Sequence, residues 1–116
     1  LPPNMIVGAS ARTEGKILDA IVSGADYIGF GPVFQTSSKV DAKEAKGLDK
    51  LKHICQVATC PVIAIGGITK ETTYEVIKCG AHGIAVIEAV CANPDPQQAT
   101  QSLLAEIRRG KQDMVT

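Results

Sequence analysis

The sequence predicts an α/β protein with a parallel sheet, built from four strand-helix units in a row. Three observations carry this expectation. Four short apolar runs, Met5 to Ser10, Asp26 to Gly31, Pro61 to Ile65 and Gly83 to Ile87, are continuous rather than alternating. Parallel strands covered on both faces have that pattern. The segments between them carry one apolar face each, which suits an outer layer of helices. Finally, Gly24-Ala25-Asp26 and Gly80-Ala81-His82 stand at equivalent places before the second and fourth runs, a faint internal repeat. Four such units make either a small open sheet or half of an eight-unit barrel, and periodicity alone leaves both open.

The elements follow in order. Met5 to Ser10 is an apolar run that ends in a small polar residue. Ile17, Leu18, Ile21 and Val22 then recur at helical spacing between Thr13 and Ser23, with Gly24 as a C-terminal stop. The second run leads into a long polar loop from Pro32 to about Gly47, and Leu48, Leu51, Ile54, Cys55 and Ala58 mark the next helical face. Pro61 opens the third run, where its missing N–H matters least. That run ends in Gly66-Gly67, and Thr69 is placed to cap a helix from Lys70 to Cys79 that stops at Gly80. After the fourth run, Asp95 caps a last helix, Pro96 takes its first position, and Gln98 stands where a capping box puts Glu or Gln. Leu103, Leu104 and Ile107 supply its apolar face, and the polar stretch from Arg108 to Thr116 is predicted to fray. The organisation expected is one unit over 1–110 and a polar tail at 111–116.

Composition excludes several classes. Twelve Lys and Arg balance twelve Asp and Glu, so no basic surface invites nucleic acid or a membrane. Aromatic residues are 3% and Trp is absent, which argues against a base-stacking platform. No basic stretch precedes an apolar core, and no apolar run approaches the roughly 18 residues that span a bilayer. A soluble, intracellular protein is the expectation. The chain opens Leu1-Pro2-Pro3-Asn4 without an initiator Met, so a start in mid-protein is expected too. Cys55, Cys60, Cys79 and Cys91 lie in apolar segments and form no C-x-x-C pair, so they read as small hydrophobes. His53, Cys55 and Cys60 match no common zinc spacing.

Ligands of parallel α/β folds gather at the carboxyl ends of the strands. The residues placed there are Ser10, the loop from Gly31 to Lys39, Gly66-Gly67, and Ile87-Glu88. Bare backbone N–H groups, hydroxyls and one Lys are what phosphate oxygens accept. Each piece alone has an ordinary reading. Gly66-Gly67 fits a tight turn, Thr36-Ser37-Ser38 a polar turn, Lys39 a solvated charge, and Ser10 a cap. Their convergence on one end of one sheet points to a binder of small phosphorylated molecules. There is no Gly-x-Ser-x-Gly elbow and no Walker-type loop, so a serine hydrolase and a nucleoside triphosphatase both lack their main sign.

Gly24 to Lys39, with its core Gly31-Pro32-Val33-Phe34-Gln35-Thr36-Ser37-Ser38-Lys39, closely resembles the signature of thiamine-phosphate synthases. Pro61 to Ile68 resembles that family's next strand and phosphate turn, Gly80 to Ile87 its last strand, and Met5 to Ser10 its strand ending in Gly-x-Ser. The resemblance implies a (β/α)8 TIM barrel of which this chain is the C-terminal half, four βα units. It implies coupling of hydroxymethylpyrimidine diphosphate to thiazole phosphate, with release of pyrophosphate and with Mg2+ as cofactor. Ser10 would contact the pyrimidine diphosphate and Lys39 its pyrophosphate. Thr36 and Ser38, with the intervening Ser37, would hold the thiazole phosphate, and Gly67, Ile87 and position 88 would complete that pocket.

Two departures stand out. The family usually carries Ser where this chain has Glu88, and a carboxylate there opposes a phosphate. The family's metal-ligating aspartates lie in the first half of the barrel, so no metal ligand is expected in this chain. Small phosphorylated substrates are the partners implied, in the cytoplasm or, behind a transit peptide, an organelle stroma. The related thiazole tautomerase is the near alternative, disfavoured by Pro32, and a non-catalytic phosphate-binding half-barrel is the distant one. The Pro32 to Gly47 loop is expected to close over the diphosphate.

Overall fold

The computed structural model of the chain describes residues 6–35 and 45–115. Among them the order is β1 (Gly8–Ala11), α1 (Glu14–Val22), β2 (Tyr27–Phe30), α2 (Gly47–Val57), β3 (Val62–Ile65), α3 (Lys70–Lys78), β4 (Gly83–Ala85), α4 (Glu88–Cys91) and α5 (Pro96–Val115). The strands form one sheet in the order β1-β2-β3-β4, and every pairing is parallel. The four strand-helix units are therefore present, each strand beside its neighbour in sequence.

Strands are shorter than the apolar runs, for local reasons. β2 starts at Tyr27 because Asp26 is taken up in holding the approach to β1. The Asp26 N–H donates to the Val7 carbonyl at 2.7 Å, and Asp26 Oδ2 accepts the Val7 N–H at 2.7 Å. β4 ends at Ala85 because the Ile87 carbonyl accepts the N–H groups of Val90 and Cys91, which opens the four-residue helix α4. The sequence did not predict that helix.

Helix ends follow side-chain chemistry. Thr13 caps α1, its Oγ1 accepting the Lys16 N–H at 3.2 Å. Thr69 takes the N-cap position of α3, and its N–H donates to Thr72 Oγ1 at 3.0 Å. Asp95 Oδ1 accepts the Gln98 N–H at 3.1 Å, so the predicted cap of α5 forms. The Gln98 amide reaches forward to Ser102 Oγ at 3.5 Å instead of back to the cap, leaving half of the predicted box.

Alternation along each strand and the parallel register sort the side chains by face. Ala11, Ile28, Phe30, Val62 and Ala64 turn toward the helices and are buried against Ile17, Leu51, Ile54, Val76 and Ile77. Each fully buried Ile, Leu or Phe there contributes about 1.5–3 kcal/mol relative to exposure. The opposite face carries Gly8, Ser10, Tyr27, Gly29, Ile63, Ile65 and Ala85. Tyr27 is 40% exposed there. No described helix covers that face, so the expectation of cover on both faces is met on one face only.

The C-terminal end is a correction. The stretch from Arg108 that is expected to fray is helical through Val115. Its anchor is α3. The Arg109 guanidinium stacks 3.8 Å from the centroid of the Tyr74 ring. The Tyr74 hydroxyl donates to Asp113, and that hydrogen bond raises the Tyr74 pKa. Gly110 is buried, and a Cβ there would stand 2.9 Å from Ile77 Cβ, so the missing side chain is what lets α5 lie close on α3.

A candidate phosphate-binding rim at the strand ends

Because the strands are parallel, Ser10, Gly31, Gly66-Gly67 and Ile87 come out at the same end of the sheet. Ser10 sits on the uncovered face of β1, opposite Gly29 of β2. A Cβ at Gly29 would stand 3.7 Å from Ser10 Oγ and 2.6 Å from Ile65 Cδ1. The bare backbone of Gly29 is thus what admits the Ile65 side chain across β2, beside the Ser10 hydroxyl. These residues line a cavity of about 250 Å3 with Gly8, Tyr27, Ile63 and Ala85. Its floor is apolar, and its one short hydroxyl side chain is at the rim end.

The Gly66-Gly67 turn is more constrained than a spacer. Both residues hold positive φ, +102° and +65°. A Cβ at Gly66 would lie 2.6 Å from Pro32 Cα, and one at Gly67 would lie 2.9 Å from the Gln35 carbonyl oxygen. Only glycine meets both demands without strain. Two backbone bonds lock this contact: the Val33 N–H donates to the Ile65 carbonyl at 2.9 Å, and the Phe34 N–H to the Gly66 carbonyl at 3.1 Å. On the return side, the Lys46 N–H donates to the Pro32 carbonyl at 2.7 Å and the Gly47 N–H to the Val33 carbonyl at 2.8 Å. Both roots of the 36–44 segment are therefore tied to the rim beside Gly67. The Gly31-Pro32 peptide is cis.

The sequence-predicted site residues divide accordingly. Ser10, Gly67 and Ile87 come to the same end of the sheet, and Ile87 is 76% exposed. Glu88 is the first residue of α4, while its side chain lies outside the described residues. Thr36, Ser37, Ser38 and Lys39 lie outside the described residues, as does most of the loop expected to close. What sequence reasoning missed is the floor beneath Ser10: Tyr27, Gly29, Ile63 and Ile65. Continuous apolar runs hide which residues face in; only the register with neighbouring strands separates them.

The remaining reactive groups lie elsewhere. Cys55 is on α2 and Cys79 ends α3, both in the helical layer. Burial pushes the Cys55 thiol up to about 11, with the nearby Cys79 adding to it, and burial raises Cys79 as well. Both stay protonated at neutral pH, which suits packing and not nucleophilic attack. His53 Nε2 stands 3.1 Å from Glu14 Oε2, joining α2 to α1. Among the described residues no three His, Cys, Asp or Glu side chains gather to hold a metal ion. An open cleft of about 430 Å3 between α3 and α5 is larger than the cavity at Ser10. It lies on the outer helical surface, where Arg109 is already paired with Glu106 at 2.7 Å, so size alone does not mark the site. Among the described residues no helix is long and apolar enough to cross a membrane.

Comparison with known proteins agrees with this geometry. The family model for thiamine monophosphate synthase matches residues 1–90. A thiamine-phosphate synthase of Salinibacter ruber is 47% identical over 107 residues, 92% of this chain and 47% of that protein. One from Geobacillus kaustophilus is 41% identical over 107 residues, 91% of this chain and 48% of that protein. The structure of thiamine phosphate pyrophosphorylase from Pyrococcus furiosus superposes with a TM-score of 0.83 at 40% identity, covering 94% of this chain and 52% of that one. The chain thus spans about half the length of the curated relatives it matches, and its four parallel strands with their helices are consistent with half of a TIM barrel. These names favour the synthase reading and lend no support to a tautomerase or a non-catalytic half-barrel. With a family model matched across most of its length and relatives more than 40% identical, the chain belongs to the thiamine monophosphate synthase family.

Proposed function

We propose that this chain supplies the last four βα units of a thiamine-phosphate synthase. The reaction is the coupling of hydroxymethylpyrimidine diphosphate to thiazole phosphate, giving thiamine phosphate and pyrophosphate. The observation that carries the reading is the Gly66-Gly67 turn, held at positive φ against Pro32 to Gln35. That turn packs against Pro32, Phe34 and Gln35, with Ser10 and Ile87 at the same end of the sheet, and the family resemblance is what assigns Thr36, Ser37, Ser38 and Lys39 to the same site.

On this reading the carbon-oxygen bond of the pyrimidine diphosphate breaks as pyrophosphate leaves. The pyrimidine-stabilised cation is captured by the thiazole nitrogen, so the electron pair of the broken bond departs with pyrophosphate and the new carbon-nitrogen bond uses the nitrogen lone pair. Negative charge grows on the leaving group. Lys39 contacts it there, which favours the transition state over the ground state. Ser10 holds the diphosphate. Thr36, Ser37 and Ser38 hold the thiazole phosphate with the Gly67 N–H, and Ile87 closes that pocket. Holding both substrates in register removes much of the entropic cost of their meeting. No side-chain nucleophile is needed. Mg2+, on this reading, belongs with the aspartates of the preceding half-barrel, and no step is assigned to it here. Soluble phosphorylated substrates suit the cytoplasm or an organelle stroma.

Glu88 is the departure from the family pattern. A carboxylate at this position should repel a phosphate and lacks the hydroxyl donor of the family's usual Ser. The test uses a chimera of the first half of the Pyrococcus furiosus relative followed by this chain. Lys39→Ala should lower kcat about 100-fold or more, the scale of losing a charge-stabilising donor. Glu88→Ser should lower KM for thiazole phosphate. An active chimera in which Lys39→Ala leaves kcat within twofold overturns the role of Lys39, and an unchanged or larger KM overturns the reading of Glu88.

A further inference from the structure

We propose that Asp26 is a positioning residue for the diphosphate contact: by holding the Val7 N–H at the entry to β1, its carboxylate sets the strand register that turns Ser10 to the substrate side. The inference rests on the reading that Ser10 holds the pyrimidine diphosphate, and it names a residue at the opposite end of the strands from that contact. It starts from the composition of β1. Gly8–Ala11 reads Gly-Ala-Ser-Ala, so the strand has no large side chain. Strands with so little to pack specify their register weakly, and a slip of one residue sends every side chain to the other face. Such a slip would turn the Ser10 hydroxyl toward the helices and bring an alanine to the uncovered face in its place. Something other than apolar packing must therefore fix β1 against β2.

Two devices do so, both where the strands begin. Asp26 grips Val7 twice. Its N–H donates to the Val7 carbonyl and its Oδ2 accepts the Val7 N–H, each at 2.7 Å. The next residue, Tyr27, lays its ring over Gly8, where a Cβ would overlap the ring atoms. Together they fix the pairing of Gly8 with Tyr27, and hence of Ser10 with Gly29 two residues on. Val7 and Ser10 are three residues apart, about 10 Å along a strand, so Asp26 acts on a substrate at Ser10 only through the strand. The Gly-Ala-x repeat separates the general from the particular. His82 stands in its second copy where Asp26 stands in the first, and the His82 N–H donates to the Val62 carbonyl at 2.8 Å ahead of β4. The backbone half of the clamp thus recurs, with an imidazole in place of the carboxylate. There the strand gripped is β3, which has Val62, Ile63 and Ile65 to hold its register by packing. The carboxylate stands beside the strand made of small residues alone, the one that presents Ser10.

The experiment measures product formation by the chimera of the first half of the Pyrococcus furiosus relative followed by this chain, with each substrate varied in turn. Asp26→Ala should raise KM for the pyrimidine diphosphate about tenfold, short of the roughly 100-fold that a 1 Å misplacement can cost, and leave KM for thiazole phosphate within about twofold. Asp26→Asn keeps an oxygen that accepts the Val7 N–H and should restore the parent value. Adding Asp26→Ala to Ser10→Ala should raise KM no further than Ser10→Ala alone, because the two act as one unit. A general loosening would raise both KM values together, and that result overturns the proposal. So does an unchanged KM in Asp26→Ala, a failure of Asp26→Asn to rescue, an additive double variant, or an Asp26→Ala protein that loses the circular dichroism of its parent. Failure of the catalytic reading looks different: Ser10→Ala then leaves KM for the pyrimidine diphosphate unchanged, which overturns the positioning role through its premise. A second measurement needs no turnover. In the 116-residue chain, Asp26→Ala should speed amide hydrogen exchange in β1 and leave β3 as protected as in the parent. Unchanged exchange in β1 overturns the clamp.

Discussion

Gly66 and Gly67 show how much one residue can carry. Their positive φ and their approach to Pro32 and Gln35 leave no room for a side chain. Gly66→Ala should cost roughly 1–3 kcal/mol, the range for a residue held in an unfavourable backbone region, and urea denaturation measures it. The thiols give a pH dependence with a definite sign. Cys55 has its folded pKa raised from 9.0 to about 11 by burial, and Cys79 is raised in the same direction. The thiol form therefore favours the fold fully below pH 9, and that contribution is lost as pH rises through about 11. The melting temperature should fall between these limits, and Cys55→Ala should flatten the slope. An equal slope in Cys55→Ala would remove Cys55 as the cause. Among single residues the sequence placed Ser10 and Gly67 at strand ends, and the parallel sheet brings them out at one end. The sequence could not show Gly29 admitting Ile65 across β2, since that contact joins two strands 36 residues apart in sequence.

At the scale of elements, strand and helix order followed from apolar runs and caps. Thr69 and Asp95 stand at the cap positions expected of them. Two features escaped. The helix α4 is too short for any periodicity to register, and it exists because Ile87 accepts two backbone N–H groups. The length of α5 escaped because its last turns have few apolar residues. They are held by a polar staple, Arg109 on Tyr74 and Tyr74 on Asp113, together with the absent side chain of Gly110. Helix propensity alone says Gly110→Ala should stabilise by up to about 1 kcal/mol. The contact with Ile77 predicts the reverse, a lower melting temperature as α5 is lifted from α3. A rise in melting temperature would mean that α5 is not seated as described.

For the molecule as a whole, periodicity left an open sheet and a half-barrel equally allowed, and the resemblance of Gly24 to Lys39 favoured the second. The structure adds the physical mark of incompleteness. One face of an all-parallel sheet is packed under helices, while the other exposes Tyr27 and the residues around Ser10. On the proposed reading the rim holds one part of a two-substrate site, and among the described residues no three His, Cys, Asp or Glu side chains gather to hold a metal ion. The account's central claim is that this chain carries the phosphate-binding half of a thiamine-phosphate synthase and needs the other half for turnover. The most direct measurement is thiamine phosphate formation, with Mg2+ and both substrates, by the chain alone and by its fusion behind the first half of the Pyrococcus furiosus relative. The account predicts product from the fusion and none from the chain alone. Product from the chain alone, or a folded fusion that makes none, would contradict it.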